Sequence, residues 1–539
     1  MAKSRAARTL PRLATILAPL VSVLIIGLAT GTSPFALDAW NTFLNDEHNY
    51  YWSVSQMQLF GQPSGITGYN EQAAPNPSYG SYGIFVYLPY YVASFFTGVS
   101  SHNFIYVINM AFGVFALALI VVMLKPNLRQ SLCLAALALF HFIISRYLCS
   151  GMSEGSYVLF AGIIIACALY VVRVGSDGRP ALVALALAAM ILASAFWGCM
   201  RPFLLAYMLV PCVLALTSTS SMGKSLRAGL LVLAVAATAA SLLLYVYYAK
   251  YYVVPYFDSA TIATSMGALI LQGLPGLPAQ HIECVLYSGA RLVHLKWQGI
   301  MVFTFAVCWV LLLIMAVRAA RAHDKMAAGL LFALVVAGFA IFEAHLLLYS
   351  YKQMHRMFIP VDIIYLVALI WFGAKPATGS SPTRTGKHAQ KKTRSKNSGA
   401  PALWVPTVVS VAAVCLLCCG SLVLHPDEFK LPQTGDAYEN VDENALRTEL
   451  SQLMPQSSDQ WDNTIAHPIE TDDLWLYFAM PRYLAPTTCK NEYLSQAAAD
   501  ASFKSKYVSL PASHKLNKKF AKKFPVLYEG QGHVIYQVR

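Results

Sequence analysis

The chain has 539 residues, of which 57% are apolar and only 12% charged, about half the charged share of a soluble protein of that size. Its formal charge of +13 is gathered in short segments between apolar runs, which is the signature of membrane topology and not of a nucleic-acid surface. A purely soluble chain is excluded, because many apolar runs reach the roughly 20 residues that cross a bilayer.

The N-terminal MAKSRAARTLPR is basic and leads into a long apolar run. No small-x-small cleavage site separates that run from Asp38, so it reads as a retained first helix. Spans are predicted at about 13–32, 103–124, 131–148, 156–173, 180–198, 203–217, 226–247, 300–317, 327–348, 358–374 and 403–424, which makes about eleven crossings. Segment 81–99 is apolar but rich in Tyr and interrupted by Gly and Pro, and reads as interfacial. With the N-terminus inside, Arg12, Lys125, Arg129, Arg173, Lys224 and Arg321 all fall on the cytoplasmic side, as the positive-inside rule requires. If 81–99 crossed, every later loop would change sides and the rule would be broken. Segment 375–401 is rich in Lys, Arg, Ser and Thr and reads as a flexible cytoplasmic linker facing anionic lipid.

Two outer loops are long, 33–102 and 248–299. The first carries Asp46, Glu47 and His48 in NDEHNYYWSVSQMQLFG. Tyr50, Val54, Met57 and Phe60 follow at helical spacing, so the carboxylates stand at the start of an interfacial helix, where the helix dipole favours them. A paired carboxylate at the water–lipid boundary can act as general base on an acceptor while a lipid-held donor lies alongside. Glu71 follows in GITGYNEQAAPNPSYG, and Glu154 in SRYLCSGMSEGSY lies at the outer edge of the fourth span. Acidic groups on one side of the bundle point to a shared outward cavity.

Arg201 lies at the outer turn after the fifth span, and Lys352, His355 and Arg356 at the outer turn before the tenth; these cations suit a phosphate group. Glu343 and His345 sit inside the ninth span, where ionisable groups are costly, and suggest either function or a structural polar contact. Loop 248–299 holds Gly267, Gly273 and Gly276 and an amphipathic piece around His294, Lys296 and Trp297, as in lids over cavities. Most of the eleven cysteines fall within spans as small packing residues. Cys149, Cys199, Cys284 and Cys489 are read as outward, with any pairing left open.

An odd number of spans puts residues 425–539 outside, as a soluble domain of about 115 residues. Within it ENALRTELSQLM reads as helix, NTIAHPI and LWLYFA as strands, and KLNKKFAKKF as a basic helix. VLYEGQGHVIYQV reads as a hairpin around Gly530-Gln531-Gly532. The fold expected is therefore a polytopic helical membrane bundle, residues 1–424, followed by an extracytoplasmic α/β domain.

The order of these motifs resembles the GT-C superfamily of membrane glycosyltransferases, in particular its protein O-mannosyltransferase and lipid A aminoarabinose transferase branch. The resemblance rests on NDEHNYYWSVSQMQLFG after the first span, on PNPSYGSYGIFVYLPYY before the second, on SRYLCSGMSEGSYVLFAGIIIACALYVVR, and on MHRMFIPVDIIYLVAL. WGCMRPFLLAYMLVP is similar to that branch's basic outer turn. Met357 stands where the branch usually has Tyr, and Glu154 where it has Asp. The resemblance implies a GT-C-like bundle in the plasma (cytoplasmic) membrane and an inverting transfer of sugar from a polyprenyl-phosphate donor to a cell-envelope glycan, lipid or protein. It implies Asp46 as general base, with Glu47 beside it. Arg201, Lys352, His355 and Arg356 would steady the lipid phosphate. His48, Glu71 and Glu154 would serve the acceptor, or Asp46, Glu71 and Glu154 a divalent metal ion, which some members bind. No Rossmann or P-loop signature points to a nucleotide-sugar donor, and no nucleic-acid partner is implied. Two rival classes are a transporter or flippase of lipid-linked sugars and a non-catalytic membrane assembly protein.

The charge asymmetry carries its own test. A periplasm-specific reporter fused after Arg539 is expected to be active, and a cytoplasm-specific one silent; the reverse pattern would reject the topology.

Overall fold

The structure is a computed structural model and describes residues 2–35, 50, 54–55, 57–59, 71, 84–97, 104–218, 222–249, 274–348, 354–374, 404–431, 443–459, 461–468, 480–481 and 483–539. Asp46, Glu47, His48, Lys352, linker 375–401 and the strand expected at LWLYFA lie outside the described residues.

Helix α1 (Ala2–Thr30) opens the bundle. Helix α2 (Ile84–Thr97) follows, then α3 (Phe104–Leu124), α4 (Leu128–Phe140), α5 (Phe142–Leu148), α6 (Glu154–Val174) and α7 (Pro180–Met200). A 3-10 turn (Pro202–Met208) runs into α8 (Leu209–Thr217), followed by α9 (Lys224–Ala249), α10 (Leu277–Val293), α11 (Trp297–Arg321) and α12 (Lys325–Leu348). The 3-10 turn Met354–Phe358 leads into α13 (Ile359–Gly373), and α14 (Trp404–Leu424) closes the bundle.

Among the described residues nine helices are long and apolar enough to cross a membrane, and the bent pair α4–α5 makes a tenth. The chain is thus a multi-pass membrane protein, with two of the expected spans irregular. The third bends by 63° at His141, whose backbone leaves the helical region while its ring accepts a hydrogen bond from the Ile144 N–H and caps α5. The sixth, Pro202–Thr217, is too short as a plain helix. Its first seven residues are 3-10, which rises about 2.0 Å per residue against 1.5 Å. The segment thereby extends to roughly 27 Å, close to the hydrocarbon thickness. Helix α2, at 14 residues, spans only about 21 Å and packs on α3 and α7. Among the described residues it does not meet the length test for crossing.

Two helices form the axis. The spans Glu154–Val174 and His355–Gly373 are 67% and 83% buried, against 17% for Lys224–Val246, whose Val232, Val235 and Leu243 face outward. Small residues let α6 approach α3, since lipid provides no hydrophobic drive between helices. A Cβ on Gly162 would lie 2.6 Å from that of Ala116, and one on Gly155 only 2.0 Å from Asn109 Oδ1. The helix ends that meet the basic loops are stapled by hydrogen bonds. Asn127 and Gln130 form a capping box, and their amides also donate to the Ala374 and Trp371 carbonyls of the α13 end. Arg12 donates to Pro126 O and Arg173 to Leu124 O.

The C-terminal domain contains α15 (Glu443–Leu453), β1 (Thr464–Pro468), β2 (Ala485–Cys489), α16 (Asn491–Asp500), β3 (Tyr507–Pro511), α17 (Asn517–Phe520), β4 (Val526–Gly530) and β5 (His533–Gln537). The sheet order is β2-β1-β3-β5-β4. β2, β1 and β3 are parallel, and β5 and β4 join antiparallel. Gln531 and Gly532 both have positive φ, which is the two-residue turn a twisted hairpin favours. Residues alternate between faces: Ala466, Val508, Val534 and Tyr536 meet Leu494, Phe503 and Phe520, while Ile465, Tyr507 and Ile535 join the cluster of Leu446, Leu450 and Met454. The basic helix expected over KLNKKFAKKF is shorter than its sequence suggests; only Asn517–Phe520 is helical, and Lys519 and Lys523 donate to carbonyls at 495 and 498. The domain is bound to the bundle by Lys296 with Glu428 at 3.0 Å, by Leu431 N–H on Thr32 Oγ1 and by buried Phe429.

His467 and His533 are buried in this sheet. Burial lowers both to about 4, and for His467 the neighbouring His533 adds to the effect. An unfolded His titrates near 6.5, so between those values the unfolded state binds more protons. The stabilisation is complete above about pH 6.5 and is lost as pH falls towards 4, roughly 3 kcal/mol for His467 and less for His533, whose ring is the less deeply buried. Hydrogen exchange in Thr464–Pro468 and His533–Gln537, corrected for its intrinsic pH dependence, is expected to speed up between pH 7 and 4.5. His467→Gln should flatten that response.

Candidate functional site

The axial helices α6 and α13 begin at the same end of the bundle, and their first turns carry the central ion pair. Glu154 is the first residue of α6, where the helix dipole favours a carboxylate. Its Oε1 lies 3.5 Å from Nε of Arg356, with 2% of the Glu154 side chain and 23% of the Arg356 side chain exposed. The Glu154 Oε2 accepts from Ser153 Oγ at 3.5 Å, a hydroxyl also 3.3 Å from Tyr50 Oη. A chain of contacts therefore runs Tyr50, Ser153, Glu154, Arg356.

One turn deeper on the same helix face, Tyr157 Oη accepts from Nε of buried Arg201 at 3.3 Å. Arg201 caps the end of α7 in an extended conformation, because Pro202 disfavours helical backbone before it. The 149–153 turn is stapled in place. Asn109 Nδ2 donates to the Ser150 and Met152 carbonyls, and Tyr90 Oη donates to Asn109 Oδ1. Arg146, near the end of α5, donates to Cys149 O. It lines a cavity of about 20 Å³ with Trp297, Ser150, Glu428 and Phe429, room for about one water molecule. His355 is buried, with ring centroids of Tyr287 and Trp297 at 5.7 and 6.2 Å.

The residues expected at this rim divide. Glu154, Arg201, His355 and Arg356 all lie at helix starts, caps or adjoining turns at one end of the bundle. The interfacial motif is described at Tyr50, Val54 and Met57, all buried in the bundle, so three of its apolar positions face the core. Glu71 is elsewhere. It is buried in the C-terminal domain, accepting from the Lys504 and Ser505 N–H groups and from the Ser505 and Thr487 hydroxyls. The shared cavity expected for Glu71 and Glu154 is thus not what the structure shows. Among the described residues no group of three or more His, Cys, Asp and Glu is placed to hold a metal ion.

Glu343 and His345 do not form a pair either, since residues two apart point to different faces of a helix. Glu343 binds His281 of α10 at 2.9 Å. His345 bonds Ile341 O and packs on Phe203. The amphipathic piece of the second outer loop is α10, earlier than expected around His294, while Trp297 already belongs to α11. Cys149, Cys199, Cys284 and Cys489 are free and buried; the last three make thiol contacts with Ser241, Ser288 and His467 O.

Sequence reading passed over Arg146, Asn109 and Asp362. Each interrupts an apolar run, which is the signal that could have found them. Asp362, on α13, is fully buried, and neither carboxyl oxygen has a hydrogen-bond partner among the described residues.

No protein-family model and no curated protein matches the chain. Among solved structures it is similar to ArnT from Cupriavidus metallidurans in the apo state, at 13% identity over 96% of this chain and 97% of that one, with a TM-score of 0.48. It is also similar to ArnT from the same organism bound to undecaprenyl phosphate, at 10% identity over 96% and 98% of the two chains, with a TM-score of 0.45.

The Glu154–Arg356 pair should behave as a coupled unit. Removing one partner from a buried pair costs about 3–5 kcal/mol, and less here because Arg356 is partly exposed. Arg356→Gln is expected to lower stability by roughly 2–3 kcal/mol. The double variant Glu154→Gln/Arg356→Gln should recover much of that, as read by thermal unfolding in detergent.

Proposed function

We propose that the chain is an inverting membrane glycosyltransferase of GT-C type, moving a sugar from a polyprenyl-phosphate donor to a cell-envelope acceptor on the outer face. The observation that carries the reading is the contact chain Tyr50–Ser153–Glu154–Arg356, which ties Tyr50 to a buried carboxylate–guanidinium pair at a bundle rim. Asp46 precedes Tyr50 by four residues, a reach of at most about 14 Å. Arg201, one helical turn away on Tyr157, adds a second guanidinium near that rim.

In this reading Asp46 takes the proton of the acceptor hydroxyl as its oxygen attacks the anomeric carbon. The bond from that carbon to the phosphate oxygen breaks on the opposite side, with inversion. The electron pair leaves on the polyprenyl phosphate, and Arg201 and Arg356 stabilise the charge that develops there, with Lys352 and His355 beside them. Glu154 acts through Arg356, fixing the direction of its guanidinium. The protein sits in the cytoplasmic membrane with its N-terminus inside and its C-terminal domain outside.

The second reading is a transporter or flippase of lipid-linked sugars. Buried Asp362 is the observation that favours it, because an unpaired acid within a span suits a proton relay. Incubation of the purified protein with labelled polyprenyl-phosphate sugars and envelope acceptors separates the two: transfer supports the enzyme, whereas movement across vesicles without transfer supports transport.

Asp46→Asn is expected to lower the transfer rate by about 10²–10⁴-fold in a normally inserted protein. Glu47→Gln should do less harm, because adjacent helical residues point about 100° apart. Arg201→Gln should chiefly raise the KM for the lipid donor. A normal rate in Asp46→Asn would remove Asp46 from the mechanism.

A further inference from the structure

Glu71 belongs to the first outer loop, yet its side chain is fully buried in a domain that follows more than 350 residues later. Its Oε1 accepts from the Lys504 N–H at 2.8 Å, the Ser505 N–H at 3.2 Å and the Tyr493 hydroxyl at 3.4 Å. Its Oε2 accepts from the Ser505 hydroxyl at 2.6 Å, the Ser505 N–H at 3.2 Å and the Thr487 hydroxyl at 3.4 Å. The Tyr493 hydroxyl also reaches the Glu71 main-chain carbonyl at 3.3 Å.

Successive N–H groups converging on one carboxylate make an anion nest. A carboxylate offers about four lone-pair sites, and the donors here fill them. Little acceptor capacity is left for a metal ion or a substrate hydroxyl. Nor is the nest local to Glu71: Ser505 Oγ is bonded to Thr464 Oγ1 at the start of β1 and lies 3.1 Å from Thr487 Oγ1 on β2. The carboxylate therefore rests on the start of β1, on β2 and on the approach to β3. The surroundings respond to its charge: Tyr493 is raised well above its usual range, by burial first and by Glu71 second. Lys504 is lowered by burial, which Glu71 partly offsets.

The same loop is held at a second point. Tyr50, Val54 and Met57 are buried in the bundle, and Gln58 donates to Ser94 of α2. The chain between Gln58 and Glu71 thus joins one anchor on the bundle to another on the C-terminal domain.

We propose that the C-terminal domain serves as a receptor for the first outer loop, its anion nest capturing Glu71 as a latch that, with the bundle anchor at Tyr50 and Gln58, fixes where this loop is held beside the Glu154–Arg356 rim. Glu71 is then a positioning residue, acting through Tyr50, whose hydroxyl meets Ser153 beside Glu154. This role rests on the glycosyltransferase reading only for its catalytic consequence; the latch itself does not.

The test has two readouts, taken on the full-length protein in detergent. Hydrogen exchange of the peptide covering Lys504 and Ser505 reports the latch without any substrate. Glu71→Gln removes the charge and leaves a single oxygen to accept from the Lys504 and Ser505 N–H groups, which can only donate, and is expected to speed that exchange on the order of tenfold. Ser505→Ala keeps Glu71 and the backbone N–H, and should show a smaller rise; it serves if Glu71→Gln fails to insert. Unchanged exchange in both variants would overturn the latch. With a polyprenyl-phosphate sugar donor, kcat for Glu71→Gln should fall on the order of 10–100-fold, the loss expected of misplaced reacting groups, with the donor KM nearly unchanged. Glu71→Asp, which keeps the charge, should recover part of the rate. Faster exchange with an unaltered kcat would overturn the positioning role. If the wild-type protein transfers no sugar, the glycosyltransferase reading falls, and the exchange result still decides the latch.

Discussion

A charge near the hydrocarbon boundary must have a partner, and that constraint organises the rim of this protein. Glu154 is almost wholly buried at the head of α6, and Arg356 lies against it. Because these groups head the two most buried spans, their pairing fixes the relative height of the two axial helices. The stapled turn at 149–153, the extended backbone at Arg201 and the buried Tyr50 all converge on that height. The pair is weak evidence for net stability, since desolvation opposes the Coulomb attraction. Its value lies in direction, because the carboxylate helps to aim the guanidinium.

Below the rim, packing follows the rule for helices in lipid, where close approach replaces the hydrophobic drive. Gly155 and Gly162 lie on the α6 face that meets α3, leaving no room for a Cβ. That approach lets Asn109 of α3 reach the Ser150 and Met152 carbonyls across the interface. Tight helix packing and the shape of the outer turn are therefore one feature.

Much of this was legible from apolar periodicity and charge position. The spans and the placement of Glu154, Arg201 and Arg356 at helix ends follow from charges interrupting apolar runs. The hairpin at Gln531-Gly532 follows from turn chemistry. The failures share a cause, which is that the partner is distant or carries no side-chain signature. Glu71 is bound largely by backbone N–H groups of Lys504 and Ser505, and no sequence motif marks a backbone donor. Glu343 looked paired with His345 by proximity in the chain, whereas its partner His281 lies on another helix. The bend at His141 hid inside an apolar run because one histidine does not break periodicity. Strand β2, Ala-Pro-Thr-Thr-Cys, has few strong strand formers and is held by its pairing to β1.

The two ends of the bundle differ in kind. At the end facing the basic loops, Asn127, Gln130, Arg12 and Arg173 donate directly to carbonyls that close neighbouring helices. At the other end the polar groups form an ion pair, a set of hydroxyl contacts and a cluster of aromatic rings around His355. Opening the first end to a ligand would break several side chain–backbone hydrogen bonds at once and leave helix ends unsatisfied. At the second end the 149–153 turn is held in the same way by Asn109 and Arg146, but the Glu154–Arg356 pair and the hydroxyls beside it are side chains that can exchange partners with a ligand. A transporter needs both ends to open in turn, whereas an enzyme that works at one face needs only the second. In the proposed enzyme the ion-paired end alone would have to admit a ligand, a demand that the side chain–backbone hydrogen bonds of the first end do not oppose.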